Sequence, residues 1–207
     1  EGAVDSGMLM RALLRKAQGE GVSVEFNRKV VNCEEQDGGI ALHLSDSTVY
    51  QSARTVIATN GFTNELLPDC DVLPARGQVV LTSPIPGLSL KGTFHVDEGS
   101  CYFREYDGRV LLGGARNLDK AGETTTEDGV TPIIQSALER MLAETILPGR
   151  EFTIEQRWSG VMGFRRNEGP PLVEHVSPKM VLAAGLGGIG VAVGIRVARK
   201  AAELVEA

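Results

Sequence analysis

The stretch that most constrains this chain lies near its C-terminus, where a short apolar run meets a cluster of glycines. The run Met180–Ala184 predicts a buried strand. After the glycines, apolar residues recur at helical spacing, at Ile189, Val193, Val197, Ala201 and Leu204 or Val205. The glycines between strand and helix are Gly185, Gly187, Gly188 and Gly190. This order presents backbone N–H groups to an electron-rich ligand, although the same glycines would also suit close packing of helix against strand.

Part of this cluster has the G-x-G-x-x-G spacing of a dinucleotide-binding fingerprint, at Gly185, Gly187 and Gly190. That fingerprint is normally followed by a second strand and by an acidic residue about 20 positions further on. Only 17 residues follow Gly190. We therefore expect the turn to close a fold rather than open one, and to face a cofactor that other parts of the protein hold. A nicotinamide-dependent dehydrogenase is the alternative that the spacing suggests.

Charge and cysteine usage narrow the class of protein. The net charge of the 207 residues is −6 and the basic residues are dispersed, which argues against nucleic acid or an anionic membrane as a partner. No apolar run approaches the roughly 20 residues of a membrane span. The cysteines are three in number and lack metal-binding spacing, and the three histidines fall in different predicted elements. We expect a reduced, cytoplasmic protein without a metal site.

Periodicity predicts an α/β chain with mixed elements. The predicted helices begin at an Asp5 N-cap and near Pro132, ending at Gly19 and about Ile146. The segments predicted as strands are Val22–Phe26, Lys29–Glu34, Ile40–Leu44, Thr48–Gln51, Ala53–Thr59, Gln78–Ser83, Phe94–Val96, Cys101–Tyr106, Val110–Gly114 and Phe152–Phe164. Asp107-Gly108 is predicted to be a hairpin turn. Pro170-Pro171 is predicted to lead through a loop to the closing strand.

Five phrases, in order along most of the chain, resemble one family. They are Val56–Asn64, Leu73–Val79, Tyr102-Phe-Arg with Leu111–Arg116, Trp158–Phe164 with Pro170–Val173, and the closing glycine turn. Together they are similar to the FAD-dependent oxidoreductases of the D-amino-acid-oxidase type, which include glycine and sarcosine oxidases. The resemblance implies FAD as cofactor and a small amine or amino acid as substrate. Its C–N bond would be oxidised by hydride transfer to the flavin.

The resemblance also implies a discontinuous FAD-binding domain, residues 1–71 and 158–207, around a β-rich antiparallel substrate domain at 72–157. The implied cofactor-binding residues are Val31, Ala58, Thr59, Gly61, Gly187, Gly188, Ile189 and Gly190. Backbone donors of the last three would stabilise negative charge on reduced flavin. We expect positive φ at Gly188, so that a side chain there would both strain the turn and push the ring away.

For the substrate, the implied catalytic residues are Tyr102, Arg104 and Arg116. An arginine suits a substrate carboxylate because its guanidinium binds in a bidentate fork, and Arg165 and Arg166 are further candidates. Arg76, before Gly77, is predicted to be structural.

Departures from the family pattern are equally informative. The chain does not begin with the strand–GxGxxG–helix unit of the family, and it is most similar to the C-terminal portion of such a protein. We expect it to hold FAD poorly by itself. Met162-Gly163 stands where glycine-oxidase-like members place a substrate arginine, and the cysteine of covalent flavin attachment is missing from the same stretch. A non-catalytic fragment or interaction module that keeps the fold without the cofactor is the alternative.

Overall fold

The computed structural model describes residues 2–206. These residues form two compact units, which are described separately. The sheet unit consists of Pro74–Met162 with residues 2–3, and the glycine-turn unit consists of Val4–Leu73 with residues 163–206. The assignment of substrate and cofactor roles to parts of the chain stays a prediction.

Among the described residues, the helices are α1 (Ser6–Gly19), α2 (Pro132–Met141) and α3 (Gly190–Glu206). The strands are β1 (Val30–Gln36), β2 (Gly39–Leu44), β3 (Val49–Ser52), β4 (Thr55–Ile57), β5 (Val72–Thr82), β6 (Thr93–Val96), β7 (Cys101–Tyr106), β8 (Arg109–Gly114), β9 (Ile154–Arg165), β10 (Leu172–Ser177) and β11 (Met180–Ala184). Short 3₁₀ segments occupy Asn60–Glu65, Arg116–Asp119 and Gly187–Ile189, and a π-helical turn, Leu142–Ile146, extends α2. The predicted α/β class is confirmed.

In the glycine-turn unit, β11 is the central strand of a sheet with the order β10-β11-β4. It pairs antiparallel with β10 and parallel with β4. Because successive side chains of a strand point to opposite faces, β11 contributes to two cores. Met180, Leu182 and Ala184 pack with Ile40, Ile57 and Leu172, whereas Val181 and Ala183 pack against Ala201 of α3. The separate sheet β1-β2-β3 is the predicted antiparallel meander.

In the sheet unit, five strands have the order β6-β7-β8-β5-β9. The pairs β6–β7, β7–β8 and β8–β5 are antiparallel. One face is covered by α2, and the core between them includes Val80, Val110, Leu112, Ile134 and Leu138. The β7–β8 hairpin turns at Asp107 and Gly108, which both have positive φ, as a tight hairpin turn requires.

Local signals located most of the elements correctly. The Asp5 side chain accepts a hydrogen bond from the Met8 amide at 2.8 Å, so the predicted N-cap is confirmed. Pro132 begins α2 as predicted. The predicted strand Ala53–Thr59 is shorter than expected, since only Thr55–Ile57 pairs.

Some expectations were wrong where pairing decides the structure. Val22–Phe26 is not a strand, because no other strand within residues 2–206 pairs with it, and the Val22 and Phe26 side chains are exposed. The segment after Pro170-Pro171 is not a loop: it forms β10. The polar residues Glu174 and His175 interrupt the apolar pattern from which a strand is predicted. Ile189 does not join the apolar face of α3, since its side chain is 61% exposed.

Candidate functional site

The candidate site lies where two parallel strands end at the same sheet edge. Thr55–Ile57 of β4 is aligned with Met180–Leu182 of β11. The chain therefore leaves both strands on the same side, through residues 58–61 after β4 and through residues 185–190 after β11. In open α/β sheets, ligands bind outside the carboxyl ends of such strands. The structure thus brings together two segments that sequence patterns had named separately, Ala58–Gly61 and Gly187–Gly190.

The conformation of the glycine turn explains which of its glycines the backbone requires. Gly185 and Gly187 have φ of +75° and +56°, in the left-handed region that favours glycine. Gly188 does not have positive φ, so that part of the sequence expectation is wrong. A Cβ at Gly188 would meet no atom within 4 Å among the described residues, whereas one at Gly190 would lie 3.4 Å from Leu186 Cβ. Gly188 and Ile189 are exposed, so this stretch of backbone is open at the beginning of α3.

Asn60 connects the two segments and is not among the site residues predicted from the sequence. Its side-chain oxygen accepts a hydrogen bond from the Leu186 amide at 3.4 Å, and its own φ is +43°. The backbone carbonyl of Asn60 accepts from the Thr63 hydroxyl at 2.6 Å, which holds the loop after β4 in place. The sequence signal that could have identified Asn60 is the Asn-Gly pair, which favours left-handed backbone.

The last residues of β9 lie against the glycine turn. A Cβ at Gly185 would lie 3.2 Å from Arg165 Cδ, and a Cβ at Gly187 would lie 3.5 Å from Phe164 Cε1. Gly163 approaches the other segment, since its Cβ would fall 2.6 Å from Asn60 Oδ1 and 2.9 Å from the Gly61 nitrogen. Gly163–Arg165 therefore contacts both halves of the candidate site.

Gly163→Ala is expected to lower the free energy of unfolding by about 1–3 kcal/mol, the usual cost of overpacking a filled site. The backbone atoms of Asn60 and Gly61 cannot rotate away from the added methyl group as a flexible side chain could. Chemical denaturation measures the change. Gly160→Ala is the matched control on the same strand, because a Cβ there meets no atom of the described residues within 4 Å. Equal stability of the two variants would contradict the close approach.

Arg165 was a candidate for binding a substrate carboxylate, but its guanidinium is already engaged. Its Nε and Nη2 lie 2.7 and 2.6 Å from Asp71 Oδ2, and its Nη1 donates to the Pro170 carbonyl at 2.8 Å. The pKa of the Asp71 carboxyl is lowered, first because the Asn167 amide donates to it and then because of Arg165. Arg165 is therefore a structural residue. Arg166 is exposed.

A groove in the glycine-turn unit reaches the loop after β4. It has a volume of about 420 Å³ and is lined by Arg28, Lys29, Val30, Thr59, Phe62, Glu65 and Leu66. Lys29 and Glu65 form an ion pair of 2.8 Å at its rim. Val31, the residue predicted from sequence, does not line the groove; it occupies an irregularity between the paired residues Val30 and Asn32, and its side chain is exposed. Thr59 is the predicted residue that does line it.

In the sheet unit, one face of β7 carries two of the predicted catalytic residues. Tyr102 and Arg104 are two positions apart, so their side chains share the face that α2 does not cover. The Arg104 guanidinium carbon lies 5.5 Å from the centre of the Tyr106 ring, within cation–π range. Arg116 is the first residue of the 3₁₀ segment that follows β8. It comes two residues after Gly114, the β8 residue that pairs with Cys101 at the beginning of β7. The structure therefore groups Tyr102 with Arg104, while Arg116 follows the adjoining strand end.

Arg76 belongs to a buried polar network, which confirms its predicted structural role. Its Nε and Nη2 donate to the two Glu123 carboxylate oxygens at 2.8 and 3.0 Å, and the Glu123 side chain is fully buried. Gln78 and Thr131 each donate to the same carboxylate at 2.9 Å. Burial pushes the pKa of Glu123 upward, but these hydrogen bonds outweigh burial and lower the pKa. Local sequence patterns do not reveal the role of Glu123, because it lies 47 positions from Arg76.

Residues 2–206 contain no helix that is both long and apolar enough to cross a membrane. Within the same range, no group of three or more His, Cys, Asp or Glu side chains is arranged to hold a metal ion.

A mixed sheet with a glycine turn at its carboxyl edge and a helix packed against it is the arrangement in which α/β proteins commonly bind ligands at strand ends. A sequence profile described as FAD dependent oxidoreductase matches residues 1–204. The chain belongs to this family of FAD-dependent oxidoreductases.

Similar proteins agree with this assignment. The chain is 26% identical over 187 residues to the bifunctional protein ThiO/ThiG of Nostoc sp., covering 88% of this chain and 27% of that protein. Among solved structures it is similar to iminodiacetate oxidase from Chelativorans sp., with a TM-score of 0.80 and 20% identity over 98% of this chain and 55% of that one. Glycine oxidase from Bacillus cereus gives a TM-score of 0.76 and 18% identity, covering 96% and 55%. The chain therefore spans little more than half the length of these solved proteins.

Proposed function

We propose that this chain is part of an FAD-dependent enzyme that oxidises the C–N bond of a small amine or amino acid. The observation that carries the proposal is the open backbone at Gly188 and Ile189, at the N-terminus of α3 and at the carboxyl edge of β4 and β11. Membership of the FAD-dependent family supports the cofactor. The names of the similar solved oxidases, iminodiacetate oxidase and glycine oxidase, support the substrate class.

The residues of the glycine-turn unit fit such a cofactor. At Gly188 a Cβ would project into open space, so a flat group can approach the backbone N–H groups of Gly188, Ile189 and Gly190. The positive end of the α3 dipole favours negative charge there. Residues 58–61 and Val31 would hold the remainder, next to the groove that Thr59 lines. When bound, FAD would supply the hydride acceptor, and the chain would contribute orientation and electrostatic stabilisation.

The open face of β7 offers groups that suit an anionic substrate. The Tyr102 hydroxyl can donate a hydrogen bond to a carboxylate, and Arg104 supplies a guanidinium on the same face. Arg116 is the further candidate. Partial burial of the Tyr102 side chain raises the pKa of its hydroxyl above the ordinary value of 10.0. These side chains would bind and orient the substrate.

Arg104→Ala or Arg116→Ala is expected to raise KM for an anionic substrate by roughly tenfold or more, because a hydrogen bond to a charged group is worth about 1.5–3 kcal/mol. Steady-state kinetics on the FAD-loaded protein would measure the change. Arg109→Ala is the matched control, since Arg109 is bound to Asp107 and Glu155 at the far end of the hairpin. Unchanged KM in both test variants would remove these arginines from the site.

The proposed function is tested on the polypeptide expressed from its gene with whatever precedes and follows this sequence. The purified protein should show the visible absorbance of flavin, and that absorbance should bleach when a small amine or amino acid is added without oxygen. Absence of flavin absorbance after incubation with FAD would support the non-catalytic alternative. Absorbance of a bound nicotinamide in its place would support the dehydrogenase alternative.

A further inference from the structure

The phenol ring of Tyr102 lies across the backbone of the neighbouring strand. The register pairs Tyr102 of β7 with Gly113 of β8 on one side and with His95 of β6 on the other. A Cβ built on Gly113 would lie 2.6 Å from Tyr102 Oη, 2.7 Å from Cζ and 3.0 Å from Cε2. Carbon atoms do not approach so closely, so the ring and its hydroxyl fill the space that any side chain at position 113 would need.

The two glycines at this end of β8 are required for different reasons. Gly114 has φ of +118°, and a Cβ there would collide with the backbone of Ser100 at 2.1 Å. A glycine is therefore required at position 114 by the backbone conformation and by the neighbouring backbone of Ser100. Gly113 does not have positive φ, and the nearest atoms to its Cβ position all belong to the Tyr102 side chain. An alanine at position 113 would suit the strand conformation, and the atoms nearest to its methyl group would be those of Tyr102.

We propose that Gly113 is the positioning residue for Tyr102: by lacking a side chain it lets the ring lie flat on the sheet and sets where the hydroxyl meets the substrate. The substrate part of this statement rests on the proposed function. The position of the ring rests on the strand pair alone. Among the described residues the Tyr102 hydroxyl has no hydrogen-bond partner, so its donor is available to a ligand.

A methyl group at position 113 would act through the Tyr102 rotamer. The side chain has only two rotatable dihedrals, and lifting the ring off Gly113 swings the hydroxyl out toward solvent. The hydroxyl would then no longer lie over β8. An enlarged residue at this position would therefore change substrate binding without touching the substrate.

The first test measures the Tyr102 ring in the protein without any ligand. Ultraviolet titration follows ionisation of the tyrosines, and the difference from Tyr102→Phe isolates the Tyr102 signal. Burial of the ring raises the wild-type pKa above the ordinary value of 10.0, and Gly113→Ala is expected to return the pKa toward that value. Gly160→Ala, whose Cβ meets no atom within 4 Å in the part of the chain that the structure describes, should leave the pKa of Tyr102 unchanged. An unchanged pKa in Gly113→Ala overturns the proposal.

A second variant covers the case in which Gly113→Ala does not fold. Combining it with Tyr102→Ala removes the ring that the methyl group would strike, so the double variant should fold as well as Tyr102→Ala alone. This rescue supports the proposal. A double variant that still fails to fold would overturn it, because the methyl group would then collide with something other than Tyr102.

Kinetics on the FAD-loaded protein separates the two parts of the proposal. Gly113→Ala and Tyr102→Phe are each expected to raise KM for an anionic substrate by about tenfold. The KM of the double variant should be no higher than that of either single variant, because both substitutions act through one hydroxyl. A KM in the double variant raised by the product of the two single effects would overturn this shared mechanism. A shifted Tyr102 pKa with unchanged KM would support the positioning of the ring by Gly113 and would remove Tyr102 from the proposed function.

Discussion

Glu123→Gln is expected to lower the free energy of unfolding by about 3–5 kcal/mol at pH 7, because it leaves the buried Arg76 guanidinium without its counter-charge. The Glu123 side chain is fully buried and that of Arg76 is 9% exposed, so water cannot replace the lost carboxylate. The amide that replaces it offers one oxygen where the carboxylate accepted from Arg76, Gln78 and Thr131. Denaturant titration with circular dichroism measures the loss.

The same network predicts how stability depends on pH. The pKa of Glu123 in the folded protein is lowered from its ordinary value of 4.5. Its contribution to stability is therefore fully present above about pH 4.5 and is lost as pH falls through the lower, folded-state pKa. We expect the stability difference between wild type and Glu123→Gln to be constant near neutral pH and to shrink in acid.

Glu20→Gln is the control for this prediction. Glu20 pairs with Lys16 at 3.2 Å, but both side chains are largely exposed, and the loss should stay below about 0.5 kcal/mol at any pH. If Glu123→Gln lowers the free energy of unfolding by less than about 1 kcal/mol, the ion pair does not stabilise the buried network.

Gly188→Val in the FAD-loaded protein is expected to slow reduction of the flavin by about one to two orders of magnitude, at or below the roughly two to three orders that loss of one oxyanion-hole donor costs. A side chain at Gly188 would project into the open space in front of the α3 N-terminus and keep a flat ligand away from the backbone N–H groups. The flavin reduction potential should fall as well, because those donors favour the anionic reduced form.

The structure separates this functional effect from a loss of stability. At Gly188 an added Cβ would meet no atom of residues 2–206 within 4 Å, and the backbone has no positive φ, so the melting temperature should change little. Gly187→Val is the contrasting variant, since φ of +56° makes any side chain there strained, at a cost of about 1–3 kcal/mol. Gly194→Val, also open but further along α3, should change neither property. A marked fall in the melting temperature of Gly188→Val with an unaltered potential would contradict the proposed contact.

The features that the sequence determined by itself depend on residues close together in the chain. The N-cap at Asp5, Pro132 at the beginning of α2, and the Asp107-Gly108 turn depend on residues a few positions apart, and all were found where predicted. The run Met180–Ala184 was correctly predicted to be a buried strand, because its apolar residues serve a core on each side. The family was also evident from the order of short phrases along the chain.

Only the tertiary structure decided the features that depend on a distant partner. Val22–Phe26 has the composition of a strand but pairs with no other strand of residues 2–206, whereas the more polar β10 becomes a strand because β11 lies beside it. The candidate substrate arginine Arg165 proves to be bound by Asp71, 94 positions away. Backbone conformation in the turn assigns positive φ to Gly187 rather than Gly188. The physical reason is common to all of them: periodicity and propensity report a residue's own preferences, but hydrogen bonds and ion pairs between distant segments exist only once the chain has folded.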